Sequence, residues 1–83
     1  MLVLMPEGPT FRGWYSPETW QAVQQWLAQL SQKYDAPLVN AREWIDDEDK
    51  FQDSHHLLAS GARIFTERLA REAILPSLQR MPR

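Results

Sequence analysis

Leu2-Val3-Leu4-Met5 is an unbroken apolar run, closed by Pro6-Glu7-Gly8-Pro9. Its brevity and lack of alternation predict a strand over 2–5 covered on both faces, as in a parallel sheet. Residues 10–15 are rich in aromatics and read as a loop hinged at Gly13. Ser16-Pro17-Glu18 then predicts a helix start: Ser caps, Pro fits the first turn, and Glu complements the positive end of the helix. Trp20, Val23, Leu27, Leu30 and Tyr34 follow at steps of three and four. They form the inner stripe of an amphipathic helix over 17–34. Asp35-Ala36-Pro37 ends it, since proline disfavours helix at its own position and at the one before. A second short strand is predicted over 37–41, centred on Leu38-Val39. An acidic loop over 42–52 follows, with Trp44, Ile45 and Phe51 as its apolar members. The last element is a helix over 58–75, its inner face Leu58, Ala62, Phe65, Leu69 and Ala73, which Pro76 breaks or kinks. Gly61 on that helix predicts close approach to a neighbouring element.

Strand, helix, strand, helix is the order of an α/β fold in which the strands pair in parallel through a helical crossover. The 83 residues suit one domain, 1–83. Two parallel strands make too small a sheet to stand alone. The chain therefore reads as the last two βα units of a larger open sheet. A buried strand that begins at the second residue predicts a further segment upstream.

Composition sharpens this picture. Four Trp, three Phe and two Tyr are many large rings for 83 residues, and they require cover from a core, a partner or a missing half. The net charge of −2, with acids and bases interspersed, offers no electrostatic footprint for nucleic acid or an anionic membrane surface. Without cysteine there is neither a disulfide framework nor a thiolate zinc site, and the compartment stays open. No apolar run approaches the roughly 18–20 residues that span a bilayer.

The chemistry concentrates in Phe51-Gln52-Asp53-Ser54-His55-His56-Leu57-Leu58, just before the second helix. Asp53 and His56 are three residues apart, a spacing that can fold the carboxylate back onto an imidazole nitrogen. Such a carboxylate fixes the tautomer and stabilises the imidazolium, while the other nitrogen faces a nucleophile as general base. The competing reading is a helix-entry histidine bonded to a nearby acid. A metal site of Asp53, His55 and His56 ranks lower, because adjacent histidines in an extended loop point opposite ways. Asp46-Asp47-Glu48-Asp49 lacks the alternation and central Gly of a calcium loop and reads as a solvated acidic turn. Arg12, just past the first strand end, occupies a position where open α/β sheets host sites, or is an ordinary loop arginine.

Asp53, His56, Leu57, Gly61 and Ala62, with Phe65 and Leu69 at core spacing and Phe51 before the Asp, resemble the final catalytic block of the SGNH (GDSL-like) hydrolase superfamily. The nearest flavour is the bacterial branch of alginate acetyltransferase-like and D-alanyl transfer-type proteins. The resemblance implies a flavodoxin-like, parallel three-layer α/β/α sandwich that cleaves or transfers an acyl ester. In it His56 is the general base, Asp53 orients it, and a Ser in a Gly-Asp-Ser setting is the nucleophile. No cofactor or metal is implied. The sequence departs from the pattern in two ways. None of Ser16, Ser31, Ser54, Ser60 or Ser77 follows Gly-Asp, and Leu58 stands where relatives place a capping residue. The expectation is a carboxy-terminal part of a serine ester hydrolase or O-acyltransferase, inactive alone and completed by an amino-terminal half of the same fold. The alternative is a small non-catalytic α/β module that self-associates, most simply as a homodimer.

Overall fold

The computed structural model describes residues 1–80, so the last three residues of the expected domain lie outside it. Strand β1 (Leu2–Leu4) leads through a short helix α1 (Pro9–Arg12) into the long helix α2 (Pro17–Lys33). Strand β2 (Leu38–Asn40) follows, then a 3-10 turn over Glu48–Lys50 and helix α3 (Ala59–Leu69). A π-helical stretch (Ala70–Ile74) joins α3 to α4 (Leu75–Gln79). The strands pair in parallel, Leu2 with Leu38, Val3 with Val39 and Leu4 with Asn40, which makes the fold mixed α/β. Both strands are shorter than expected: Met5 lies outside β1, and Pro37 and Ala41 lie outside β2. Proline has no N–H to donate to a ladder, although the Pro37 carbonyl still accepts from Leu2 N–H at 2.8 Å.

Local signals account for most element boundaries. Ser16 Oγ accepts from Thr19 N–H at 3.0 Å and caps α2, whose first residue is Pro17. Where a loop over 10–15 is expected, the structure has α1. Pro9 at its first position is preset for helix, and Arg12 N–H reaches Gly8 O at 3.0 Å. Of the break or kink expected at Pro76, there is no break: the helical path runs on to Gln79 through an irregular stretch. The π-helical stretch just before it, where Leu75 N–H donates to Ala70 O, widens the backbone and relieves the clash that proline imposes on the preceding turn.

The core is small. Ala41, Ile45, Phe51 and Phe65 are buried together, with Val3, Trp44, Leu57 and Leu69 packed against them. The inner stripe of α2 is only half-buried, and Tyr34, its expected last member, is exposed, as are Trp26 and Leu58. The chain extends 43 × 31 × 13 Å with a radius of gyration of 14.3 Å. A compact domain of this length has about 12 Å. It is a slab whose faces are thinly covered.

Gly61 meets the expectation set for it. A Cβ there would lie 2.5 Å from Lys50 O and 2.9 Å from Leu57 Cδ2. The first is backbone and cannot swing aside, so Gly61→Val should destabilise by about 1–3 kcal/mol as an overpacking change. A urea midpoint unchanged from that of the parent would show that α3 can slide off the loop at no cost.

Candidate active site

The candidate site is a tight loop over 52–56 at the carboxyl end of the two strands. An antiparallel bridge between Phe51 and Leu57 closes its base. Gln52 N–H donates to His56 O at 2.7 Å, and Leu58 N–H to Lys50 O at 2.8 Å. Inside the loop Ser54 adopts a left-handed φ of 66°, which reverses the chain and turns the side chains of 53, 55 and 56 toward one another.

Asp53 is the hub. Its Oδ1 accepts from His56 N–H at 2.8 Å and His55 N–H at 3.3 Å, and its Oδ2 lies 2.6 Å from His56 Nδ1. The structure thus brings together the two residues that the sequence pairs. His56 is two-thirds exposed, and its Nε2 makes no hydrogen bond among the described residues. The hydrogen bond from His56, helped by the two backbone N–H groups, holds the Asp53 carboxyl below the usual aspartate range against a smaller opposing effect of burial. The contact is consequently present above the usual aspartate value of about 3.9 and is lost as pH falls through the lowered folded value. In an acid titration followed by NMR, the Asp53 side-chain carboxyl carbon should record its protonation with a midpoint below pH ~3.9. A midpoint above that value would mean that the pair is not formed in solution.

The extended-loop argument against His55 does not hold. The loop is a turn, and the two imidazole centroids lie 4.2 Å apart. His55 Nδ1 is 3.0 Å from Asp53 O, and its ring rests on Phe11, 5.1 Å between centroids.

Sequence reasoning misses what holds the loop in place. Ser54, buried, accepts from Phe11 N–H at 2.9 Å and donates to Glu48 Oε1 at 3.0 Å, and Gly8 N–H donates to Ser54 O at 2.7 Å. Glu48 also accepts from Thr10 N–H at 3.0 Å, and this bond leads in holding its carboxyl below the usual range. The acidic run is therefore not simply solvated: Glu48 is half-buried and joins the loop to α1, while Asp46 pairs with Arg12. Arg12 is a clamp between α1 and that run.

A second polar cluster lies at the end of β1. Arg42 Nε donates to Glu7 Oε1 at 2.7 Å, and Tyr15 OH donates to Glu7 Oε2 at 3.0 Å. The Arg42 guanidinium sits 3.8 Å from the Trp20 ring centroid and 4.9 Å from that of Tyr15. Burial, then the bond to Glu7, raises the Tyr15 hydroxyl above its usual value, so it stays a proton donor.

Family models, curated proteins and solved structures yield no match to this chain. A carboxylate on Nδ1 and a solvent-facing Nε2 form an imidazole ready to take a proton from a hydroxyl brought against it. No helix among the described residues is long and apolar enough to cross a membrane.

Proposed function

We propose that this chain supplies the Asp–His half of a Ser-His-Asp triad in an acyl-ester hydrolase or O-acyltransferase of SGNH type. In this reading His56 Nε2 takes the proton from a serine hydroxyl and then returns it to the leaving alcohol. Asp53 holds the Nδ1–H tautomer and stabilises the imidazolium. The nucleophile comes from a segment outside these 83 residues, which also adds strands and layers to make a flavodoxin-like sandwich. The observation that carries the reading is the 2.6 Å contact of Asp53 Oδ2 with His56 Nδ1, with Nε2 left facing solvent. The location of the loop supports it, because ligands of open α/β sheets bind outside the carboxyl ends of the strands. The thinly covered slab supports the added layers.

The test joins this chain to a segment bearing a Gly-Asp-Ser block and follows hydrolysis of p-nitrophenyl acetate. Turnover should need both pieces and His56. Turnover that survives His56→Ala would reject the reading. The exposed Trp26 and Tyr34 favour a second reading, self-association through the uncovered faces. Sedimentation that finds only monomer at high concentration would remove it.

A further inference from the structure

The bend that sets Asp53 against His56 also gathers His55. One ligand-capable atom from each of the three residues lies within 4.8 Å of the others. Ligands at about 2.0–2.1 Å on a tetrahedral zinc ion stand about 3.3–3.4 Å apart. His55 Nδ1 and Asp53 Oδ1 are separated by 3.4 Å, one edge of that tetrahedron. His56 does not yet fit: its Nδ1 is held by the 2.6 Å hydrogen bond to Asp53 Oδ2. Its ring must turn out of that bond to offer a nitrogen to the ion, and its exposure leaves room for that. The rest of the frame is fixed. Phe11 backs the His55 ring, and Ser54, between the donors, is pinned to α1 and Glu48.

We propose that Asp53, His55 and His56 form a binding site for a divalent transition metal, with solvent completing the shell. Two imidazoles and one carboxylate are a donor set suited to zinc rather than to calcium or magnesium, which take oxygen ligands. Metal on His56 replaces the proton that a general base must carry, so occupancy and base catalysis exclude each other. That consequence rests on the acid–base role proposed for His56; the binding does not.

The test is a titration of the chain with ZnCl2, followed by calorimetry and by the imidazole NMR signals. The expected result is saturable one-to-one binding that moves the His55 and His56 rings together, weakened at least about tenfold by His55→Ala or Asp53→Asn. No saturable binding, or an affinity unchanged by His55→Ala, would overturn the site. The variant also separates the two proposals. His55→Ala removes a metal ligand and spares the Asp53–His56 hydrogen bond, read from its Nδ1 proton. Loss of zinc binding with that proton retained supports the metal site. Its absence in the metal-free parent chain counts against the acid–base reading and leaves the zinc result to stand on its own.

Discussion

Arg42→Met is expected to cause the largest loss of stability of any single substitution considered, about 3 kcal/mol, the lower end for a broken buried pair, because it leaves the partly buried Glu7 carboxylate without its charge partner. Arg42 is 5% exposed and the Glu7 side chain 15%, so water can take over only part of the lost interaction. The guanidinium also fills the space beside the Trp20 and Tyr15 rings, a cation–π contact of about 0.5–2 kcal/mol. Small domains are stable by only about 5–15 kcal/mol, and the core here is slight, so the variant should be largely unfolded near body temperature. Arg42→Met combined with Glu7→Leu removes both charges and should recover part of the loss, the pattern of a pair that costs most when broken singly. Urea denaturation of the four proteins of this cycle decides the matter. A single-variant loss under about 1 kcal/mol would mean that the pair behaves as a surface ion pair.

The largest expected effect on activity falls on Asp53 and His56. In the joined protein, Asp53→Asn should lower kcat roughly 10⁴-fold with little change in KM, the scale seen when a triad carboxylate is replaced by its amide. The amide can no longer accept the Nδ1 proton as a charged partner, so the imidazole settles in a tautomer whose Nε2 already carries hydrogen. His56→Ala removes the base itself and should be at least as damaging. The double variant should be hardly worse than the worse single one, since groups that act as a unit are not additive. Steady-state kinetics on p-nitrophenyl acetate measures all three. Independent, multiplicative losses would mean that the two residues do not work together. His55→Ala should leave metal-free turnover within a few-fold of the parent.

The order of the two strands and the two longer helices was legible because each is announced by a short-range signal. Ser16-Pro17 marks the start of α2, and the apolar run at Leu2 marks β1. The Asp53–His56 contact was legible for the same reason: it spans one turn of chain. The devices that seat the loop were not. Thr10 N–H meets Glu48 across 38 positions and Phe11 N–H meets Ser54 across 43, and neither segment carries a local pattern that names the other. Helix α1 was missed because four residues are too few for periodicity to register. The sequence leaves open whether Pro76 breaks or kinks the helix, because the answer lies in the turn before it, where the π-helical stretch absorbs the strain. Tyr34 was assigned to the core by spacing alone. It lies at the end of α2, past the reach of the sheet, where spacing continues and cover does not.

The measurement that bears most directly on the central claim is the protonation state of each imidazole nitrogen of His56, read by long-range nitrogen–proton NMR at a pH where the ring is neutral. The account predicts hydrogen on Nδ1, a bare Nε2, and reversal of that preference in Asp53→Asn. Hydrogen on Nε2 in the parent chain would contradict it, for an imidazole in that form has no lone pair with which to take a proton from serine.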